Sequence, residues 1–304
     1  SRPALYSRRR RMQPVWRRYN NMANASGRRQ IGRFSPRLVA PDRLNRPLLS
    51  KSGPVTMSRY DFRTPRLHVD GPLAPGAQVA LDRDRANYLF NVLRLGEGDA
   101  VLAFNGRDGE WRAAVAAAGK RGGALRIDVR TREQPRPSDL HLMFAPLKHA
   151  RLDYVVQKAV EMGASRLVPV LTRHTQVARI NLERMRANVV EAAEQCGVLT
   201  LAEVAEPVPF TRLLETLAPE MLVVFCDEDA EVTDPLAALR SAPGHAGIAL
   251  VIGPEGGFAA EERAALIQRD KVVRLSLGPR ILRADTAAVA AMALVQAVLG
   301  DWKS

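Results

Sequence analysis

From residue 139 onward, short apolar runs alternate with stretches whose apolar positions recur every three or four residues. The runs 140–145, 167–171, 221–226, 248–252 and 272–275 predict strands, and 152–162, 182–196, 235–239, 260–268 and 286–299 predict helices. Apolar strands separated by helices imply a parallel sheet covered on both faces. Such sheets take ligands at the carboxyl ends of their strands. Before that, the pattern is one of short strands, 66–69, 78–81, 100–104, 111–117 and 125–129, divided by Gly, Pro, Asn and Asp turns. This reads as a small barrel-like β domain with one helix, 83–93, on which Tyr88, Leu89, Val92 and Leu93 share a face. Prolines at alternate positions in Gln134-Pro135-Arg136-Pro137-Ser138 forbid a helix and a central strand, so the boundary between domains 57–134 and 139–304 is placed there.

Residues 1–56 show no sustained apolar period and read as a disordered basic extension. They hold thirteen Arg and Lys51 against Asp42, and so carry the whole formal charge of +13. The rest of the chain is balanced, and charge alone does not make it a nucleic-acid binder. An RNA-binding arm, a transit peptide and upstream sequence that is not native compete for this extension. The favoured expectation is a native start at Met57.

The best candidate for a membrane span, 284–299, is interrupted by Asp285 and Gln296, so no transmembrane segment is expected. Cys196 and Cys226 stand in separate segments without metal-ligand spacing, which argues against a disulfide framework and a zinc site and for a reducing cytosol. His141, His149 and His174 form no ligand pair and accompany no Ser or Cys nucleophile motif.

Two glycine-rich turns stand out, each following an apolar run and preceding a helical pattern. The first, Ile252-Gly253-Pro254-Glu255-Gly256-Gly257-Phe258, has neither the GxxxxGK[ST] of a triphosphate loop nor the GxGxxG of a dinucleotide site. It is either a tight connection or a backbone-lined pocket in which a flat ligand approaches the main chain. The second, 277–286, adds Arg280 and Arg283 near the start of a helix that Asp285 or Thr286 is expected to cap. Arginines at an electropositive helix start are unfavourable unless an anion is near, and RNA phosphate would meet that need.

The combination of IGPEGGF (252–258), LGPRILRADTA (277–287), LDYVVQKAVEMGA (152–164) and AAEQCG (192–197) resembles the ribosomal RNA small-subunit methyltransferase E family. FRTPRLHV (62–69) and NYLFNVLRLGEGDAV (87–101) resemble the same family's N-terminal PUA-like RNA-binding barrel, so the likeness spans roughly 59–302. The resemblance implies a SPOUT-type α/β domain whose C-terminal part forms a trefoil knot, S-adenosylmethionine as cofactor, no metal, and a cytoplasmic homodimer. It also implies methylation of N3 of one uridine in 16S rRNA of the small ribosomal subunit. The pocket would comprise Phe225, Ile252, Gly253, Pro254, Glu255, Gly256 and Gly257, together with Leu277, Gly278, Ile281 and Leu282. Arg283 would act on the uracil or its phosphate while Arg280 shapes the cofactor loop. Arg63, Arg66, Arg94, Lys148 and Arg151 match positions that the family presents to RNA, and Tyr88 suits base stacking.

The chain departs from the family at Asp285, where glutamate is usual, at Val198, where an arginine follows the Glu-Gln pair, and near Ala202, where a proline is usual. Asp for Glu keeps the charge, whereas the loss of the arginine at Val198 puts in doubt any role for Glu194 and Gln195. Glu255 and Asp285 are the acids near the expected chemistry, and the proton acceptor is left open between them and water. Two alternatives stand beside the main reading. One is a SPOUT methyltransferase acting on another RNA or a ribose 2′-hydroxyl; the other is a non-catalytic RNA-binding ribosome assembly factor.

Overall fold

The computed structural model describes residues 61, 63–119, 122–148, 150–177 and 179–303, all within one compact unit, and each structural statement below concerns these. The basic extension and His149 lie outside the described residues.

In the N-terminal half, β1 (Arg66–His68), β2 (Gln78–Leu81), β3 (Ala100–Phe104), β4 (Glu110–Gly119) and β5 (Gly122–Arg132) form a sheet of order β1-β3-β4-β5-β2. β1 runs parallel to β3 and the other pairs are antiparallel. The period of two is plain in burial. Val79, Leu81, Val101, Ala103, Ala113, Val115, Leu125 and Ile127 turn to one core, while Arg112, Arg126 and Asp128 face water.

The expected helix 83–93 is not regular. A single α-helical turn, α1 (Arg83–Ala86), is capped by Asp82 and passes into a six-residue π-helix, Asn87–Val92. The wider turn, in which Leu93 N–H donates to the Tyr88 carbonyl at 3.0 Å, breaks up the face that α-helical spacing predicts. Leu89 is fully buried and Leu93 packs beside it, whereas Tyr88 and Val92 are exposed. Arg94 then takes a left-handed conformation, φ 61°, the only non-glycine to do so among the described residues.

The C-terminal half alternates strand and helix. It runs β6 (Leu140–Phe144), α2 (Ala150–Glu161), β7 (Arg166–Leu171), α3 (Leu182–Cys196), β8 (Glu203–Val204), β9 (Val208–Pro209), α4 (Phe210–Thr216) and β10 (Met221–Cys226). Then follow α5 (Pro235–Arg240), β11 (Gly247–Ile252), α6 (Ala260–Ile267), β12 (Val272–Leu275) and α7 (Ala284–Val298). The sheet has the order β12-β10-β11-β6-β7-β8 with β9 beside β7, and every pair is parallel.

Along β10, Leu222 and Val224 face the layer of α2, α3, α5 and α7, and Val223 and Phe225 face α4 and α6. That two-sided burial is why these strands read as continuous apolar runs. Helix α7 begins earlier than expected: Arg283 is its N-cap, with no side-chain cap bond, and Asp285 lies in the first turn. The Asp285 carboxylate accepts from Thr286 N–H at 3.0 Å and sits favourably at the positive end of the helix. The expected cap by Asp285 or Thr286 is therefore corrected.

Candidate active site

Strands β12, β10 and β11 are neighbours, and the register holds their carboxyl ends level, with Cys226 beside Leu275 and Phe225 beside both Val251 and Arg274. The loops that follow these strands, 227–234, 253–259 and 276–283, consequently converge at one edge of the sheet. Two of them are the glycine turns singled out from the sequence.

The Phe225 and Ile252 side chains are buried in the cores. Phe225 meets Phe258 edge-on at 6.2 Å, so the side chains of these two expected pocket residues are packed into the sheet and not exposed. Gly253 is pressed against Phe258, where a Cβ would come within 2.9 Å of the ring. Gly257 (φ +71°) and Gly278 (φ +93°) are left-handed, and a Cβ on either would meet nothing within 4 Å. Both glycines thus present main chain to open space, a cradle for a flat ligand. Pro254, Leu277 and Leu282 are half-buried, Glu255 and Gly256 are exposed, and Ile281 is 92% exposed, an apolar side chain held in water at the rim.

Glu255 is engaged by Arg151 from the start of α2. Arg280 and Arg283 are exposed, and no described residue forms an ion pair or hydrogen bond with either guanidinium. Lys148 and Arg283 thus keep their charge available, whereas Arg151 is already committed to an acid. Burial pushes the Cys226 thiol up to about 12, so a thiolate is excluded at the β10 end. Among the described residues there is no group of three His, Cys, Asp or Glu side chains that could hold a metal ion.

One part of the site was not singled out from the sequence. Asp227, buried just beyond β10, accepts from Arg263 Nε of α6 at 3.0 Å and from Arg274 Nε of β12 at 2.7 Å. Burial alone would raise this carboxyl, but the bonds from Arg263 and Arg274 outweigh it and hold it below the usual range. Arg274 also donates to the Asp229 carbonyl, so the cluster clamps the 227–234 loop to the two elements on either side. An Asp within a Cys-Asp-Glu-Asp run gives no spacing signal, because its partners lie 36 and 47 residues away.

Comparison with known proteins places this geometry. A family model described as an RNA methyltransferase domain matches residues 134–296, and one described as an RNA methyltransferase PUA domain matches 81–128. The curated ribosomal RNA small subunit methyltransferase E of Rickettsia conorii is 30% identical over 232 residues, 76% of this chain and 94% of that protein. The chain belongs to the ribosomal RNA small subunit methyltransferase E family.

The Synechocystis member is 32% identical and covers 88% of each chain. Among solved structures, the Neisseria gonorrhoeae family member bound to S-adenosyl methionine superposes with a TM-score of 0.71 at 26% identity, covering 79% of this chain and 99% of that one. A Legionella pneumophila methyltransferase with bound SAM gives 0.67 at 30% identity, covering 77% and 98%. This family member is therefore an RNA methyltransferase with an α/β catalytic part and a PUA domain. Among its described residues no helix is long and apolar enough to cross a membrane.

The PUA half sorts the expected RNA contacts. Arg63 and Arg94 are exposed, and their guanidiniums have no partner among the described residues. Arg66 is corrected: its side chain is 5% exposed and its Nε donates to Glu110 Oε2 at 2.8 Å, so it serves the interior of the sheet. On a three-residue strand its inward turn left no pattern to read. Glu194, doubted on sequence, has a structural partner, for its carboxylate accepts from His68 N–H of β1 at 2.8 Å. Arg132 Nη1 to the Gly197 carbonyl, at 2.8 Å, and Gln134 Nε2 to the Leu199 carbonyl, at 3.3 Å, reinforce the same junction.

Proposed function

We propose that this protein transfers a methyl group from S-adenosylmethionine to N3 of a uridine in 16S rRNA, acting in the cytoplasm on the assembled small subunit as a homodimer. The observation that carries the reading is the convergence of the 227–234, 253–259 and 276–283 loops on adjacent strand ends, with Arg280 and Arg283 unpaired beside them. S-adenosylmethionine carries no phosphate, and a pocket walled by the main chain of Gly253, Gly257 and Gly278 suits an adenine and a ribose better than it suits a phosphate chain. Bound there, the cofactor supplies a methyl group on a sulfonium. The same reading takes the 276–283 return as the knotted turn of the SPOUT fold, with 57–134 as the RNA-binding domain and 139–304 as the methyltransferase domain.

The protein's own part is positioning and charge. Uracil N3 carries an imide proton, and its loss leaves negative charge on the flanking oxygens. Arg283, exposed and without an acid, stabilises that charge or the adjoining phosphate, and Arg280 shapes the cofactor loop. Glu255, engaged by Arg151, and Asp285, which accepts from the Thr286 N–H, are the carboxylates nearest the proposed pocket, and we take water as the acceptor of the proton once the anion is stabilised. Arg63, Arg94 and Lys148 hold the RNA backbone.

Labelled S-adenosylmethionine incubated with unmethylated small subunits tests this reading. Label should reach a uridine N3, and Arg283→Ala should lower the rate about a hundredfold with cofactor affinity unchanged. Transfer to a ribose hydroxyl would redirect the reading to the 2′-O class, and subunit binding without transfer would make the protein an assembly factor. Sedimentation of the free enzyme tests the homodimer.

A further inference from the structure

The glycine turn 253–257 is held at three points. Phe258 backs Gly253, Arg151 grips Glu255, and the third hold comes from the loop between β7 and α3, which is not one of the three pocket loops. There His174 Nδ1 lies 3.1 Å from the Gly257 carbonyl oxygen. The fit is close, since a Cβ on Gly256 would sit 3.4 Å from the His174 Cβ. Between loop and turn remains a cavity of about 20 Å³, lined by Lys148, His174, Gln176, Pro254 and Glu255 among others, room for little more than one water.

The loop that carries His174 is itself fixed. Thr172 N–H donates to Thr175 Oγ1 at 2.8 Å, Thr175 N–H returns to the Thr172 carbonyl at 3.1 Å, and Arg173 N–H donates to Glu262 of α6 at 2.8 Å. Its neighbour is therefore braced on the helix that follows the glycine turn. A carbonyl oxygen only accepts, so His174 Nδ1 must carry the proton of that contact, which leaves Nε2 as the acceptor of the neutral ring.

We propose that His174 is a positioning residue for cofactor binding: the Nδ1 proton, donated to the Gly257 carbonyl, holds the glycine turn in the conformation that receives S-adenosylmethionine. This rests on the reading of that turn as a cofactor wall. Asparagine can place an amide N–H where Nδ1 stands, and glutamine reaches instead towards the position of Nε2. The two amides therefore separate holding the turn from any role of the far nitrogen.

The test is calorimetric titration of the full chain with S-adenosylmethionine, together with methyl transfer to unmethylated small subunits, for His174→Ala, His174→Asn and His174→Gln. Loss of one net hydrogen bond should weaken cofactor binding about tenfold in the Ala and Gln variants, and the Asn variant should return to within about twofold of wild type. Cofactor binding by His174→Ala equal to wild type, or failure of Asn to restore it, overturns the proposal. An Asn variant with restored cofactor affinity supports it whatever its turnover, and a turnover still reduced would give Nε2 a separate part towards the substrate. A wild type that does not bind S-adenosylmethionine sinks the cofactor reading itself, a result distinct from each of these.

Discussion

The backbone N–H of His68 donates to Glu194 Oε1 at 2.8 Å, joining residues 126 apart in sequence and tying the first strand of the PUA half to helix α3 of the catalytic half. Around this bond, Arg85 Nε donates to the His68 carbonyl at 2.9 Å, and the His68 ring meets Phe104 at 5.6 Å. Phe104 is itself part of the catalytic core, so the two halves share apolar and polar contacts at one place.

Removal of Glu194 should loosen that junction. Glu194→Ala strands the His68 N–H and should cost about 1–3 kcal/mol in urea unfolding. Glu194→Gln keeps an acceptor and should cost far less. Burial, first among the causes, raises the Glu194 carboxyl despite the His68 bond. The folded state therefore holds its proton more tightly than the unfolded one, and this group's contribution to stability falls as pH rises from the ordinary glutamate range through the raised value. That fall should vanish in Glu194→Gln. Unfolding midpoints across mildly acid pH would show it, and parallel curves for wild type and variant would refute it.

Arg66 and Arg94 should give opposite phenotypes. Arg66→Ala leaves Glu110, whose side chain is 3% exposed, without its closest cation and should destabilise the protein by about 3–5 kcal/mol. Arg94 sits in a left-handed conformation that glycine adopts freely, so Arg94→Gly should preserve or raise stability, by up to about 1 kcal/mol. The same variant should weaken small-subunit rRNA binding and reduce its salt slope by about one. Unchanged salt dependence would remove Arg94 from the RNA surface.

Asp227 should matter to both fold and cofactor. Asp227→Ala strands Arg263 and Arg274, both partly exposed, and should cost about 2–3 kcal/mol while releasing the 227–234 loop. Because the two arginines hold this carboxyl low, its stabilising effect is present above the ordinary aspartate range and is lost as pH falls through the depressed value. Acid unfolding of wild type against Asp227→Asn measures the difference. A cofactor affinity untouched by Asp227→Ala would show that the clamp serves stability alone.

Gly278 and Gly76 make a matched pair. Both are left-handed, φ +93° and +77°, and a Cβ on either meets nothing. Alanine at each should therefore carry the same backbone cost, roughly 1–2 kcal/mol. Only Gly278→Ala puts a methyl group into the proposed pocket, and it should weaken S-adenosylmethionine binding at least about tenfold where Gly76→Ala leaves it unchanged. Equal affinities by calorimetry would remove the 276–283 loop from the pocket.

Much of this architecture was legible in the chain. Strands buried on both faces are continuous apolar runs, as in β10 and β11, and helix α3 was bounded to the residue by its period, with Gly197, left-handed at φ 66°, closing it in the structure. The glycine turns were legible because left-handed backbone selects glycine. What escaped was held by distance and not by period. The segments β8, β9 and α4 are too short to show one, the π-helix breaks the spacing that would announce it, and Arg66 looks in sequence like any surface arginine until Glu110 is set beside it. The Asp227 clamp and the hold of His174 on Gly257 likewise join residues that no local pattern links.

Strand β12 lies outside β10, on the flank away from β11, so the third loop of the proposed pocket is made after the other two. Both neighbours of β10 are made after β10 itself. A nascent chain that has emerged as far as α6 holds two of the three loops and lacks the one bearing Gly278, Arg280 and Arg283. On this order of assembly the proposed pocket lacks one of its walls until residue 283 has been made, and the earlier two loops stand without it.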